Sequence, residues 1–170
     1  MTLANEQPSV PVWLLRKKIL CVFGTRSEAL KIAPVIQSMT RRRSHFECIV
    51  CVLSLQRRAL DQVLSLFAII PDYDLDINQS GNTVTETSSV VFQSFDEVLA
   101  DCQPDMVLVR CESSLTMAAA MAAHNHNIPI GHLAGFRAEA IASPDEPVLN
   151  CRLINIVAAC HFVTTQEEKQ

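Results

Sequence analysis

Short apolar segments alternate with longer amphipathic segments along almost the whole chain, and this alternation restricts the fold more than any other feature. The first apolar segment, KILCVFG, ends at Gly24 and is followed by SEALKIAPVIQSMTRRR, whose apolar residues recur at helical spacing. Parallel neighbouring strands need crossover connections, so strands that alternate with helices predict a parallel sheet covered on both faces. The predicted strands are KILCVFG, FECIVCVLS, DYDLDI, PDMVLVR, IPIGHLA and HFVTT. The predicted fold class is therefore α/β, a three-layer, doubly wound, Rossmann-like domain.

The length of the chain favours one domain. Its 170 residues, of which 49% are hydrophobic, suffice for one well-packed core. We expect a flexible N-terminal extension over residues 1–14 and a single domain over residues 15–170. No apolar segment reaches the roughly 18 residues of a membrane span, and the first residues lack the basic-then-apolar order of a signal peptide. These features predict a soluble, cytoplasmic protein that does not bind membranes.

Charge and histidine content argue against two further functions, nucleic-acid binding and metal binding. A formal net charge of −4 gives no general electrostatic reason to bind nucleic acid. His124 and His126 end an alanine-rich predicted helix, where they are expected to cap the helix and not to bind a metal ion. We expect neither a metal ion nor a cofactor.

The seven cysteines do not mark out a disulfide framework, because most of them fall inside or beside apolar segments. We expect reduced, buried thiols at Cys21, Cys48, Cys51, Cys102 and Cys111. Cys48 and Cys51 form a C-x-x-C pattern within a predicted strand, so their side chains should face opposite sides of the sheet. That placement argues against a redox motif or half of a zinc site.

A doubly wound sheet binds ligands at the carboxyl ends of its strands, so the strand-to-helix turns are candidate functional positions. The first of these turns combines the N-terminal amides of a helix with Arg26 and, slightly more than one helical turn later, Lys31, which suits an anion such as phosphate. The turn lacks the G-x-G-x-x-G pattern, so a dinucleotide cofactor is not supported. Taken alone, these residues are equally compatible with a solvated helix start. The candidate turns are residues 24–26, 54–57, 110–113 and 132–137.

The segment KKILCVFGTRSEALKIAPVIQSM resembles the start of the non-hydrolysing UDP-N-acetylglucosamine 2-epimerases, in which a strand precedes G-T-R-P-E-A-I-K-x-A-P. The similarity extends over residues 17–168. It implies one half of a two-domain GT-B architecture, with the active site between two Rossmann-like halves. Because the chain is similar to the first half only, we expect the C-terminal, UDP-binding domain to be absent. The other matching segments are CVLSLQRRALDQVLSLFAIIPDYDLDI, SFDEVLADCQPDMVLV, AAHNHNIPIGHLAGFR, SPDEPVLNCRL and ACHFVTTQE.

The resemblance also implies a reaction and a set of binding residues. Family members interconvert UDP-N-acetylglucosamine and UDP-N-acetylmannosamine by eliminating UDP and adding it back to the other face of the sugar. Such a reaction needs acid and base groups at C2 and cations at the departing diphosphate. Arg26 and Lys31 match the basic pair of the family, and Ser113, His132 and Arg137 are further candidates for substrate binding.

The chain departs from the family where carboxylates are expected. Residues 110–113 read RCES in place of H-G-D-T, so Glu112 is the candidate catalytic acid, longer than aspartate by one methylene. Residues 131–137 read GHLAGFR in place of G-H-V-E-A-G-L-R and lack the glutamate of that motif.

A third family motif, S-P-W-P-E-E-x-N-R, has also lost its acids. Pro147 and Val148 align with its two glutamates. Asp145 and Glu146 lie nearby, and whether either of them replaces a missing carboxylate stays open.

These departures predict an epimerase-like protein that is inactive alone. The alternatives are a regulatory or binding module that pairs with an intact epimerase, and one chain of a split enzyme. The expected small-molecule ligand is a UDP-sugar, bound weakly or no longer bound. A homodimer, a separate C-terminal domain and an intact homologue stay open as protein partners.

Overall fold

The computed structural model describes residues 16–54, 57–77, 83–133 and 146–163. The predicted N-terminal extension over residues 1–14 lies outside this part of the chain. None of the helices within it is long and apolar enough to cross a membrane.

Within the described ranges, six strands form one sheet in the order β3-β2-β1-β4-β5-β6. Each neighbouring pair is parallel. The strand order reverses between β1 and β4, because successive strands are added on one side of β1 up to β3 and on the other side from β4 onward. This arrangement confirms the predicted doubly wound, Rossmann-like fold. The strands are β1 (Lys17–Phe23), β2 (Phe46–Ser54), β3 (Tyr73–Asp76), β4 (Met106–Val109), β5 (Ile130–Leu133) and β6 (Cys160–Phe162).

Helices cover both faces of the sheet. The apolar residues of α1 and α2 belong to one buried cluster, and those of α3, α4 and α5 belong to another. The alanine-rich helix α4 packs between α3 and α5, where its small side chains permit a close approach. The described helices are α1 (Arg26–Arg41), α2 (Arg57–Leu66), α3 (Val84–Cys102), α4 (Ser114–Asn125) and α5 (Glu146–Val157).

The central strands are buried on both faces, as expected for a parallel sheet. In β1, Leu20 and Val22 point into the cluster with α3 and α4, whereas Cys21 and Phe23 point into the cluster with α1 and α2. The same alternation separates the cysteines of β2. Cys51 lies in the cluster with α3 and α4, whereas Cys48 packs against the cluster with α1 and α2. The predicted placement of this C-x-x-C pair on opposite faces is confirmed.

The described residues leave an open groove of about 890 Å³ beside α1, on the face that α1 and α2 cover. Strand residues form its mainly apolar floor, and Phe162 at the sheet edge is 47% exposed. Lys31 and Arg110 line the groove together with these apolar residues. The apolar strand residues that line it are Ile19, Phe46, Met106, Leu108, Leu133 and Phe162.

Candidate anion site at the strand-order reversal

The turns that follow β1 and β4 lie side by side, because these two strands are neighbours in the sheet. Ligands of doubly wound domains bind at the carboxyl edge at this point, where the strand order reverses. The turn after β1 contains Gly24 and Thr25, and the turn after β4 contains residues 110–113. The candidate site is defined by these two turns.

Helix α1 starts at the first turn with a complete capping box. Thr25 is the N-cap residue, its side chain accepts a hydrogen bond from the backbone N–H of Glu28, and the Glu28 carboxylate accepts one from the backbone N–H of Thr25. Arg26 is the first residue of the helix and is exposed. Its guanidinium is therefore available at the N-terminal, positive end of the helix dipole.

Lys31, further along α1, reaches the second turn and forms an ion pair with Glu112. The same carboxylate oxygen, Oε1, lies 2.8 Å from Nε of Arg110. Arg110 is 7% exposed and also donates from Nη1 to the carbonyl oxygen of Leu133 at 3.4 Å. Two cations therefore converge on one carboxylate between β1, β4 and β5.

The environment of Glu112 strongly favours its ionised form. Partial burial opposes ionisation, but hydrogen bonds from Lys31, Ser27 and Arg110 outweigh it and lower the pKa of Glu112 to about 2. At neutral pH the side chain is therefore a carboxylate. In that state it holds no proton to donate and is a weak proton acceptor, and its role as the catalytic acid stays a prediction. Ser27 stands where the family pattern has proline, and its hydrogen bond is one that proline cannot make.

Ser113 begins the second helix of the site. It is the N-cap residue of α4, where its hydroxyl accepts a hydrogen bond from the backbone N–H of Thr116 at 3.3 Å and donates to Oε1 of Glu28 at 3.0 Å. The hydroxyl is thus already engaged within the protein, and its predicted contact with substrate stays a prediction.

Sequence reasoning missed Glu28, Arg110 and Thr116 as individual site residues. Glu28 is fully buried and accepts a hydrogen bond from the hydroxyl of Thr116 at 2.7 Å as well as from Ser113. The T-x-x-E pattern of residues 25–28 was a readable signal for the cap of α1. Nothing in the sequence indicated that the same carboxylate reaches a turn more than 80 residues later.

His132 lies in β5, on the adjacent strand, and is 2% exposed. Its Nδ1 lies 3.3 Å from Nδ1 of His161, and its buried Nε2 has no well-aligned partner among the described residues. Burial, followed by the proximity of His161, lowers the pKa of His132 to about 4, although Asn155 opposes the shift. His161 is exposed, and its ring meets His132 edge-on.

One cysteine prediction is wrong. Cys111, in the turn after β4, forms a disulfide with Cys151 of α5 and is not a reduced thiol. The two residues are 40 positions apart, so neither their spacing nor their apolar neighbours indicated the pair. The fold brings the turn after β4 against α5, and the disulfide links them beside Glu112. The other four cysteines in that prediction are free, and three of them are buried.

Several candidate residues cannot be placed. Arg137 and Asp145 lie outside the described residues, and Glu146 is described only as the first residue of α5. No group of three or more potential metal ligands occurs in the described part of the chain. There His126 is the C-cap residue of α4, as predicted, and its Nε2 lies 2.9 Å from Oδ1 of Asp96.

Comparisons with known proteins agree with this fold. The family model described as UDP-N-acetylglucosamine 2-epimerase matches residues 38–170. A UDP-N-acetylglucosamine 2-epimerase of Salmonella typhimurium is 42% identical over 154 residues, which are 90% of this chain and 41% of that protein. The chain therefore spans about two fifths of the length of this curated relative.

Two solved structures resemble the chain closely. A putative UDP-N-acetylglucosamine 2-epimerase of Listeria monocytogenes superposes with a TM-score of 0.84 at 37% identity, covering 91% of this chain and 41% of the other. The UDP-GlcNAc 2-epimerase of Neisseria meningitidis, solved with UDP-GlcNAc bound, gives a TM-score of 0.83 at 40% identity. That match covers 89% of this chain and 41% of the Neisseria chain.

Proposed function

Because this chain belongs to the UDP-N-acetylglucosamine 2-epimerase family, we propose that it binds the diphosphate of a UDP-sugar and does not by itself epimerise the sugar. The proposed contacts are Arg26 and Lys31, with Arg110 beside them. The Neisseria relative was solved with UDP-GlcNAc, which supports a nucleotide sugar as the class of ligand.

One observation carries the binding half of the proposal. At the strand-order reversal, α1 and α4 begin just after the carboxyl ends of two neighbouring strands, β1 and β4. Lys31 and Arg110 both pair there with the carboxylate of Glu112. Backbone N–H groups at helix N-termini and bidentate arginine side chains are the usual partners of phosphate oxygens. Glu112 occupies the position of an anion between the two cations. A diphosphate would compete with it for Lys31.

The ionised state of Glu112 and the loss of a motif glutamate support the other half of the proposal, that the chain does not epimerise the sugar by itself. Removal and return of the C2 proton require an acid and a base on opposite faces of the sugar. Glu112 is held ionised by Lys31, Ser27 and Arg110. The glutamate of the family motif G-H-V-E-A-G-L-R has no counterpart in residues 131–137. The cations needed to hold a diphosphate are therefore retained, but the pair of proton-transfer groups is not.

Replacing Arg26 by alanine is expected to lower the affinity for UDP about tenfold or more, because a charge-assisted hydrogen bond contributes roughly 1.5–3 kcal/mol. Isothermal titration calorimetry with UDP measures this. The matched control is Arg41→Ala, at the opposite end of α1 and about 22 Å away at the rise of an α-helix. Equal affinities of the Arg26 variant and the unmodified chain would remove Arg26 from the site.

No exchange of the C2 hydrogen of UDP-N-acetylglucosamine is expected when the chain is incubated alone with the sugar nucleotide in D₂O. Mass spectrometry of the recovered sugar nucleotide measures the incorporated deuterium, and an intact homologue serves as the positive control. Deuterium at C2 above the protein-free background would contradict the loss of proton transfer.

The open groove favours a second candidate function, a binding module that pairs with an intact homologue. Its floor is apolar, and Phe162 is half exposed at the sheet edge. The same exchange assay tests this candidate when the chain is added to an intact homologue. A change in turnover would support pairing, and unchanged turnover together with separate elution of the two proteins in gel filtration would exclude it.

A further inference from the structure

Glu28 is a buried carboxylate that the proposed diphosphate contacts do not use. It is 0% exposed and is the third residue of α1. Its Oε2 accepts hydrogen bonds from the backbone N–H groups of Gly24 at 2.9 Å and Thr25 at 3.0 Å. Its Oε1 accepts hydrogen bonds from the hydroxyls of Ser113 at 3.0 Å and Thr116 at 2.7 Å. One carboxylate thus joins the turn after β1 to the start of α4.

Helix capping accounts for only part of this arrangement, as a second capping box in the same protein shows. At the start of α3, Thr83 and Glu86 form the same reciprocal pair. Glu86, however, is exposed, and among the described residues its carboxylate is bonded to Thr83 alone. A capping box therefore requires neither burial of its carboxylate nor contacts with another helix.

The four donors around Glu28 fix the geometry of both turns. A carboxylate only accepts hydrogen bonds, so every group that faces it must donate. The hydroxyl hydrogens of Ser113 and Thr116 consequently point toward Glu28, while the Ser113 oxygen remains free to cap α4. A buried charge is tolerated only when its hydrogen bonds are complete, so displacing either turn costs free energy at Glu28.

We propose that Glu28 is a positioning residue, which holds the turn bearing Arg26 and the turn bearing Glu112 at the separation that a diphosphate requires. This inference rests on the proposed function. Glu28 itself makes no contact with ligand, since its side chain is buried and both oxygens are already bonded within the protein. It acts by fixing where the N-termini of α1 and α4 lie relative to each other.

The test uses Glu28→Gln, with Glu86→Gln as the matched control from the other capping box. Glutamine keeps the shape of the side chain, but its NH₂ group must face one pair of donors, so the four-donor arrangement is lost. With UDP as the probe, calorimetry is expected to show an affinity about tenfold lower for Glu28→Gln, the loss typical of one misplaced charge-assisted hydrogen bond. Glu86→Gln is expected to match the unmodified chain within about twofold.

A second readout needs no ligand and separates this inference from the proposed function. The carboxyl carbon of Glu112 is followed by NMR as the pH is lowered. Removal of the Glu28 charge alone would lower the pKa of Glu112 further, because a nearby negative charge is lost. Displacement of the turns would instead weaken the pairing of Glu112 with Lys31 and raise its pKa. We expect the rise.

The outcomes are distinct. Failure of the unmodified chain to bind UDP would overturn the proposed function. The pKa of Glu112 in Glu28→Gln would still test the positioning role of Glu28. Equal UDP affinity of Glu28→Gln and the unmodified chain, or a pKa of Glu112 that falls or stays, would overturn the positioning role. If Glu28→Gln does not fold, Thr116→Val replaces it. That variant conserves side-chain volume, removes the donor that the start of α4 supplies to Glu28 and leaves the cap of α1 intact. The UDP affinity and the pKa of Glu112 are then measured for Thr116→Val, and we again expect a lower affinity and a higher pKa.

Discussion

Replacing Gly24 by alanine is expected to lower the free energy of unfolding by about 3 kcal/mol, at the upper end of the usual cost of overpacking. A Cβ atom at this position would lie 2.5 Å from the carbonyl oxygen of Leu53 and 3.2 Å from Cδ1 of Leu115. Leu53 is fully buried in β2, so its backbone cannot move without displacing the strand. Because the N–H of Gly24 also bonds Glu28, the displacement would extend to the candidate site.

Gly131→Ala is the control, since it adds the same methyl group at another buried glycine, within β5. Its Cβ would meet Sδ of Met106 at 3.0 Å, Cε2 of Phe162 at 3.0 Å and Cδ1 of Leu108 at 3.1 Å. These atoms belong to side chains that can rotate away, so the expected loss is below about 1 kcal/mol. Urea unfolding of both variants measures the difference. Losses of equal size would show that the contact with the Leu53 backbone does not set the cost.

Acidification from pH 7 to pH 4 is expected to remove about 3 kcal/mol of stability through His132 alone. The pKa of His132 in the folded protein is about 4, below the ordinary value of 6.5, because the ring is buried beside His161 and Arg110. Below pH 6.5 the unfolded chain therefore binds a proton that the folded protein does not. The free energy of unfolding falls as the pH drops from 6.5 toward 4. Below about pH 4 the folded protein also binds this proton, so the contribution of His132 levels off.

His132→Asn tests the assignment, because asparagine cannot take up a proton in this range. Unfolding by urea is measured at several pH values between 7 and 4 for the variant and the unmodified chain. The variant is expected to start from lower stability, since atoms are removed from a buried site, but to lose less on acidification. Parallel curves would show that His132 does not bind the proton on unfolding. Glu112 adds a smaller loss near pH 4, because its pKa is about 2 in the folded protein against an ordinary value of 4.5, but this loss is common to the variant and the unmodified chain and cancels in the comparison.

The fold could be predicted because burial imposes a period on the sequence. Strands buried on both faces read as continuous apolar segments, and the helices between them as amphipathic ones. The predicted strand FECIVCVLS coincides with β2. Near the end of the described chain, β6 begins at Cys160, one residue before the predicted segment HFVTT. Helix α5 ends at Val157, two residues before the end at Ala159 that the sequence predicts. Helix ends depend on local hydrogen bonds that periodicity does not report.

The site could be predicted only in part. The rule that ligands bind at strand ends selected the turns of Arg26 and Glu112, and the pairing of Lys31 with Glu112 shows that the two turns meet. The bridge through Glu28 and the disulfide of Cys111 depend on contacts between distant segments. Such contacts follow from the packing of α1, α4 and α5 against the sheet, which one sequence does not specify residue by residue.

The position of β1 in the sheet has a consequence for the order in which the chain folds during synthesis. β1 leaves the ribosome before β2 and β4, yet in the sheet it has β2 on one side and β4 on the other, and Ile19 pairs with Met106. At about 5–20 residues per second, the intervening segment takes several seconds to translate. Throughout that time one edge of β1 lacks its partner, so this edge can pair with another segment or another chain before β4 is made.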